Sequence, residues 1–130
     1  MPHTSERVSS VVLFGLKDRL DLDLTSQLLT QGIDVYSSPS TLDECVRLFV
    51  ETRADVVFCA SDPACYQALL ELIKREKLAV QLIVVSRQPE ISDWLKALEA
   101  GAADYCAPPF DNRQIQWMLD TAAKSKPLAA

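Results

Sequence analysis

The sequence of 130 residues has one histidine and three glycines, and these two scarcities exclude several kinds of chemistry. His3 lies in a polar leader, so a triad with a histidine base and a zinc site with several imidazoles both lack material. The glycines, at positions 15, 32 and 101, are too scattered for a P-loop or a G-x-G-x-x-G turn. The sequence therefore argues against nucleotide hydrolysis by these routes.

Positive charge and long apolar runs are also scarce. Thirteen Lys and Arg against 18 Asp and Glu give a net charge of -5. That balance repels a phosphate backbone, so we expect no direct nucleic-acid binding by this domain. Every apolar run is shorter than the roughly 18 residues of a membrane span, and residues 1–10 hold no apolar signal segment. We expect a cytoplasmic protein with no membrane contact.

The four cysteines lack the C-x-x-C spacing of many metal and redox sites. They are Cys45, Cys59, Cys65 and Cys106. Two of them lie in apolar runs, where cysteine acts as a small hydrophobic residue. We interpret all four as reduced, and we predict neither a metal nor a cofactor.

Short apolar runs alternate with helical patterns along the chain. Residues 11–14, 56–60 and 82–85 are apolar on both faces, as in central strands of a parallel sheet covered by helices on each side. Residues 33–36 and 105–107 predict two weaker strands. The pattern predicts an α/β fold, a doubly wound sandwich whose functional groups lie at the carboxyl ends of the strands.

The helices have recognisable ends and apolar stripes. A capping-box pattern predicts that the second helix begins at Ser40, and Pro89 has the form of the first residue of the fourth. The predicted buried stripes are Ile91, Leu95, Leu98 and Ala102 in the fourth helix and Ile115, Met118, Leu119 and Ala122 in the fifth. Trp117 falls nearly opposite the fifth stripe, and Trp94 borders the fourth. A solvent-facing tryptophan is typical of a protein contact, although packing on a neighbouring side chain is an equal alternative.

Two segments carry a family resemblance. Residues 97–110, ALEAGAADYCAPPF, are similar to the A-L-x-A-G-A-x-D-Y-x-x-K-P-F segment of receiver domains of bacterial two-component response regulators. Residues 54–58, ADVVF, resemble the strand that leads to the phosphoacceptor of that family. The resemblance implies a (βα)5 three-layer sandwich with a parallel five-stranded sheet in the order 2-1-3-4-5. Residues 11–123 would form the domain, after a polar leader at 1–10 and before a tail or linker at 124–130.

The chain departs from the family pattern where the phosphorylation chemistry belongs. The resemblance implies an acidic pair that holds Mg²⁺, an Asp that accepts the phosphoryl group and a Lys before Pro-Phe. The residues at these positions are Gly15 and Leu16, Ala60, and Pro108. Ser86 and Tyr105 match the family as the hydroxyl and the aromatic switch. These departures predict a degenerate pocket with no catalytic residue and no metal.

Two hypotheses about function follow. The first is a non-catalytic, phosphorylation-independent pseudo-receiver in a two-component-type pathway, of a kind that can form the N-terminal domain of a longer regulator. It would contact a protein partner, or a second copy of itself, through the face of the fourth helix, fifth strand and fifth helix with Trp94, Tyr105 and Trp117. The alternative is a small-molecule or redox sensor that uses the vacant strand-end pocket.

Several residues admit a plainer interpretation. Asp62 follows the third strand but has the form of an N-cap, with Pro63 as the first helical residue. The acidic residues Asp18, Asp21 and Asp23 suit the positive end of the first helix better than a metal. Ser86 and Tyr105 would also fit purely structural roles.

Two further expectations concern the cysteines and the prolines. Because a fourth strand separates the third from the fifth, Cys59 and Cys106 are not expected to form a disulfide. The resemblance implies a cis peptide bond before Pro109.

Overall fold

A computed structural model of the chain describes residues 8–17, 19–37, 39–88 and 90–125. Residues 124 and 125 are described by their backbone alone. Within these ranges, strands and helices alternate five times. The strands are β1 (Ser10–Phe14), β2 (Asp34–Tyr36), β3 (Val56–Ala60), β4 (Gln81–Val85) and β5 (Asp104–Cys106). The helices are α1 (Leu20–Thr30), α2 (Leu42–Thr52), α3 (Pro63–Arg75), α4 (Ile91–Ala100) and α5 (Asn112–Ser125).

The strands form one parallel sheet in the order β2-β1-β3-β4-β5. Val57 at the centre of β3 pairs with Val12 of β1 on one side and with Leu82 of β4 on the other. The two edge strands have three residues each, and the three central strands have five. This topology confirms the predicted doubly wound (βα)5 fold and its strand order.

Each face of the sheet has its own apolar layer, because successive residues of a strand point to opposite faces. Phe58 of β3 packs in the layer beneath α1 and α5, together with Leu24 and Ile115. Its neighbour Cys59 packs in the layer that holds residues of α2, α3 and α4, among them Cys45 and Leu69. All of these side chains are buried. The result is the predicted three-layer sandwich.

The N-cap of α2 lies one residue from its predicted position, and the N-cap of α3 is the predicted residue. The N-cap of α2 is Thr41, one residue beyond the predicted Ser40, because the hydroxyl of Thr41 accepts a hydrogen bond from the backbone N–H of Glu44 at 3.2 Å. The Glu44 carboxylate accepts in return from the backbone N–H groups of Ser40 and Thr41. The bond from Ser40 is the main reason why the pKa of Glu44 lies below its usual range. Asp62 caps α3, as predicted.

The stripe prediction for α4 is wrong on three of its four residues. Ile91, Leu95 and Leu98 are exposed, while Ala102, just beyond the helix, is buried as expected. The helix instead buries Ala97 against the sheet. For α5 the prediction is confirmed, since all four stripe residues are buried. Apolar periodicity locates a stripe on a helix, but it does not determine whether the sheet or the solvent faces that stripe.

Element boundaries differ slightly from the predictions. β1 begins at Ser10, inside the predicted leader, and the predicted domain end after residue 123 falls within α5. α4 begins at Ile91 with Glu90 as its N-cap, and the predicted start at Pro89 lies outside the described residues. Asp18, most of the leader and most of the tail also lie outside them. In the described part of the chain, no helix has the length and apolarity that crossing a bilayer requires.

The capping box of α2 provides a test of the fold. Thr41→Ala removes the acceptor for the Glu44 N–H, so we expect the free energy of unfolding to fall by about 1 kcal/mol in urea denaturation. Ser26→Ala, at an exposed position in the middle of α1, is the control and should cost little because alanine favours helix. Equal losses in the two variants would contradict the assignment of Thr41 as the cap.

Candidate functional site

A cleft of about 610 Å³ lies at the carboxyl ends of β1, β3 and β4, where a doubly wound sheet places its binding groups. We call it the strand-end cleft. Its walls come from the loops that follow these three strands and from the first turns of α1 and α3. The lining residues are Gly15, Leu16, Lys17, Leu20, Ala60, Ser61, Asp62, Cys65, Val85, Ser86, Arg87 and Gln88.

Four of the five predicted pocket residues line this cleft, and the fifth does not. Gly15, Leu16, Ala60 and Ser86 are brought together, whereas Pro108 is absent from the described lining. A Cβ atom built on Gly15 would stand 3.5 Å from the Ala60 Cβ. At the cleft, the residue after β1 therefore has only a hydrogen atom as its side chain, and the last residue of β3 has a methyl group. The family that the chain resembles has carboxylates at these positions.

The cleft offers few oxygen ligands to a hard cation. Among the described residues that line it, Asp62 alone carries a carboxylate. Its Oδ1 accepts a hydrogen bond from the backbone N–H of Ala64 at 3.2 Å, which is the N-cap role that the sequence favoured. Lys17 and Arg87 add cationic groups to the same walls. Mg²⁺ prefers near-octahedral oxygen ligands, so these side chains fit Mg²⁺ poorly.

Other acidic residues do not supply the missing ligands. Asp21 and Asp23 lie in the first turn of α1, and neither lines the cleft. In the described ranges, no group of three or more His, Cys, Asp or Glu side chains is placed to hold a metal ion. This placement agrees with the helix-dipole interpretation of these two residues.

Ser86 is buried at the end of β4 and takes part in local backbone hydrogen bonds. Its Oγ accepts from the N–H of Gln88 at 3.2 Å, and its own N–H donates to the carbonyl of Cys106 at 2.9 Å. The hydroxyl therefore shapes the turn that follows β4. In the loop that follows β5, the peptide bond between Pro108 and Pro109 is cis, as expected.

Tyr105, the other switch-like residue, lies away from Ser86's cleft. It lines a second hollow of about 350 Å³ between α4 and α5, together with Ile91, Trp94 and Gln114. The side chain is buried, and its hydroxyl has no hydrogen-bond partner among the described residues. Tyr105 therefore lies beneath the predicted partner surface instead of projecting from it.

The solvent side of α4 carries a row of large apolar side chains. Ile91, Trp94, Leu95 and Leu98, which we call the α4 stripe, follow helical spacing and are all exposed, Ile91 by 74% and Leu95 by 53%. On α5, Trp117 is 65% exposed, as its position opposite the buried stripe predicted. The two tryptophans of the predicted partner surface therefore both reach solvent, and α4 adds three aliphatic side chains that the sequence had placed in the core.

A pair of thiols escaped the sequence interpretation. Cys59 near the end of β3 and Cys65 in the first turn of α3 have their Sγ atoms 3.6 Å apart. Cys65 lines the strand-end cleft and is half-buried, whereas Cys45, Cys59 and Cys106 are buried. Burial raises the pKa of Cys45 and of Cys106 to about 12. The signal available in the sequence was that Cys65 is the third residue of α3, a helix that begins three residues after β3 ends.

Comparisons with known proteins identify the fold. No family model and no curated protein matches the sequence. Among solved structures, the receiver domain of the Francisella response regulator 1452 is similar, with a TM-score of 0.70, 16% identity and coverage of 89% of this chain and 97% of that one. A signal receiver domain of an HD domain-containing protein from Pseudomonas fluorescens Pf-5 gives 0.70 and 17%, with coverage of 91% and 96%.

An atypical orphan response regulator, described as revealing a phosphorylation-independent regulatory mechanism, is also similar. Its TM-score is 0.69 and its identity is 20%, with coverage of 89% of this chain and 96% of that chain. Identities at this level establish a shared fold and leave function to be argued from the residues. The chain has the receiver-domain fold over nearly the whole length of these structures.

The unpartnered hydroxyl of Tyr105 leads to a testable expectation. A buried hydroxyl without a hydrogen bond costs about 1 to 3 kcal/mol, so Tyr105→Phe should leave the free energy of unfolding unchanged or raise it. Tyr105→Ala, which also removes the ring, should lower it by about 3 kcal/mol or more. Urea denaturation of both variants gives the comparison, and a loss in the Phe variant above 1 kcal/mol would show that the hydroxyl has a partner in solution.

Proposed function

We propose that this protein is a non-catalytic signalling module of a two-component-type pathway, a cytoplasmic pseudo-receiver that works by protein contact without phosphorylation. The observation that carries the proposal is the exposed α4 stripe. Soluble monomers rarely leave a continuous row of large apolar side chains in water without a partner for it. In α4 that row spans two turns and includes a tryptophan.

The residues of the strand-end cleft support phosphorylation independence. Phosphoryl transfer needs a nucleophile, a metal that bridges the phosphate oxygens and a cation that compensates their charge. Ala60 has no nucleophilic atom, and Gly15 and Leu16 carry no side-chain oxygen. Among the described lining residues, the one carboxylate is that of Asp62, and it already caps α3. The likeness to an orphan regulator described as phosphorylation-independent is consistent with this proposal.

The occupant that we propose for the α4 stripe is a second copy of the chain. Exposed Asp93, Lys96 and Glu99 lie on the same helix, so its charges have both signs. Across a two-fold axis the same patch meets itself, and Lys96 of one copy can then face an acidic residue of the other. An apolar row with charges of both signs beside it is self-complementary in this arrangement. Trp117 on α5 is a further exposed aromatic side chain.

A phosphotransfer assay tests the first part of the proposal. We expect no phosphoryl group on the protein after incubation with a small acyl phosphate donor and Mg²⁺, because the described residues of the cleft supply neither an available acceptor nor a set of metal ligands. Intact-mass measurement in parallel with a phosphorylatable receiver domain provides the positive control. A stable acyl phosphate mapped to Asp62 would sink the proposal of a phosphorylation-independent module.

Sedimentation analysis tests the docking surface. We expect the wild-type chain to dimerise with rising concentration, and Leu95→Ser to raise the dimer dissociation constant about tenfold or more. The matched control is Leu29→Ser on α1, where the leucine is 58% exposed and lies on a helix that packs on the other face of the sheet. Both changes are at exposed sites and should shift stability by about 0.5 kcal/mol or less.

Two outcomes would count against this surface. Equal weakening of the dimer by Leu95→Ser and Leu29→Ser would place the contact elsewhere. A wild-type chain that stays monomeric at high concentration would exclude the second copy as the occupant.

A further inference from the structure

Cys59 and Cys65 form a close thiol pair at the wall of the strand-end cleft. Six residues separate them in sequence, yet the end of β3 and the first turn of α3 bring their Sγ atoms to 3.6 Å. Cys59 is buried in the layer that α2 and α3 cover, and Cys65 packs at the edge of that layer. One sulfur is thus shielded from solvent and the other borders the cleft.

The cleft leaves a path to the Cys65 sulfur. Gly15 faces it without a side chain, and a Cβ atom built there would stand 3.8 Å from the Cys65 Sγ. Because Gly15 has a φ of +77°, a backbone conformation that L side chains rarely adopt, most other residues are disfavoured at this position. A molecule of a few atoms that enters the cleft can therefore reach this sulfur.

The two thiols also differ in their readiness to ionise. Either sulfur can be the donor in the Cys59–Cys65 contact. With the Cys59 S–H as donor, this hydrogen bond is the main reason why the pKa of Cys65 falls to about 7. Partial burial and the negative charge of Asp62 oppose the fall. The same hydrogen bond, together with burial, raises the pKa of Cys59. A half-buried thiolate that borders a cleft, beside a buried thiol, is the arrangement of an attacking and a resolving cysteine.

We propose that Cys65 and Cys59 are a redox-active pair, which a hydroperoxide entering the strand-end cleft oxidises to a disulfide. In the first step the Cys65 thiolate attacks the O–O bond, an S–O bond forms, and the leaving hydroxide or alkoxide takes up a proton. In the second step the Cys59 sulfur attacks Cys65, the S–S bond forms, the S–O bond breaks and water leaves with the Cys59 proton. The two thiols together lose two electrons. Hydrogen peroxide is reduced to two molecules of water, and an organic hydroperoxide is reduced to one alcohol and one water.

The required movement is small. A disulfide brings the sulfur atoms from 3.6 Å to about 2.0 Å, a closure of about 1.6 Å. Cys65 lies in the first turn of a helix at the surface, so this turn can approach β3 more easily than the central strand can shift. The bond would fasten the first turn of α3 to β3 and fix the segment 60–62, which forms one wall of the cleft.

Peptide mapping of the full chain after treatment with hydrogen peroxide tests the proposal. Trypsin places Cys59 and Cys65 together in peptide 54–74, and it places Cys45 and Cys106 in the separate peptides 20–47 and 97–113. After free thiols are blocked under denaturing conditions, we expect peptide 54–74 to lose the mass of two hydrogen atoms and to take up no blocking reagent. A second cleavage before Asp62 should leave two fragments joined until a reductant is added.

Variants assign the roles of the two sulfurs. Cys65→Ser, at a half-buried site, should abolish the reaction of this peptide with peroxide. Cys59→Ala should leave Cys65 oxidised but unpaired, as a sulfenic acid that a cyclic 1,3-diketone traps, and the oxidation should be slower because the hydrogen bond that lowers the pKa of Cys65 is lost. Cys45→Ala is the matched control, because Cys45 is a buried thiol in the same apolar layer, and it should leave the disulfide intact. Thermal unfolding of each reduced variant verifies that it is folded.

The proposal is overturned if the folded wild-type chain keeps all four thiols after exposure to excess peroxide. It is equally overturned if the new disulfide joins other cysteines, or if Cys65→Ser still forms an oxidised peptide 54–74. These outcomes do not depend on the phosphotransfer or sedimentation results, so failure here is distinguishable from failure of the proposed function.

Discussion

The structure depends on the burial of a parallel sheet on both of its faces. β1, β3 and β4 are almost entirely apolar, and alternate residues of each strand enter opposite layers, so neither face can remain in water. Helices must therefore cover both sides, and the connections that carry them leave the carboxyl edge of the sheet open. The strand-end cleft is a consequence of this constraint. Its position was predictable from the order of strands and helices alone.

The same constraint explains why α5 followed the sequence prediction and α4 did not. Both helices have apolar stripes at helical spacing, and a stripe fits equally well against a sheet or against another protein. In α5 the stripe around Ile115 covers the layer next to Phe58. In α4 the small side chain of Ala97 makes the approach to the sheet, and the larger apolar residues face outward. Sequence periodicity does not indicate whether the sheet or another protein covers a given apolar stripe.

Prediction of the candidate site had a comparable limit. The ends of β1, β3 and β4 meet at one edge by topology, so the sequence alone assigns Gly15, Ala60 and Ser86 to one pocket, and all three line the cleft. Pro108 follows the edge strand β5 and stays outside the described lining. The thiol pair depends on a distance between a strand and the first turn of the next helix, and a separation of six residues does not fix that distance. Here side-chain packing decides, and packing is what a single sequence specifies least openly.

The side chain at position 15 and the pKa of Cys65 are physically linked. A carboxylate at position 15 would stand beside the Cys65 sulfur, since a Cβ on Gly15 lies 3.8 Å from that sulfur. Its negative charge would disfavour the thiolate, as the charge of Asp62 already does. An acidic phosphorylation pocket and a reactive thiolate at this site therefore oppose each other. In this chain position 15 carries a hydrogen atom and position 60 a methyl group, and the Cys65 sulfur borders the same cleft.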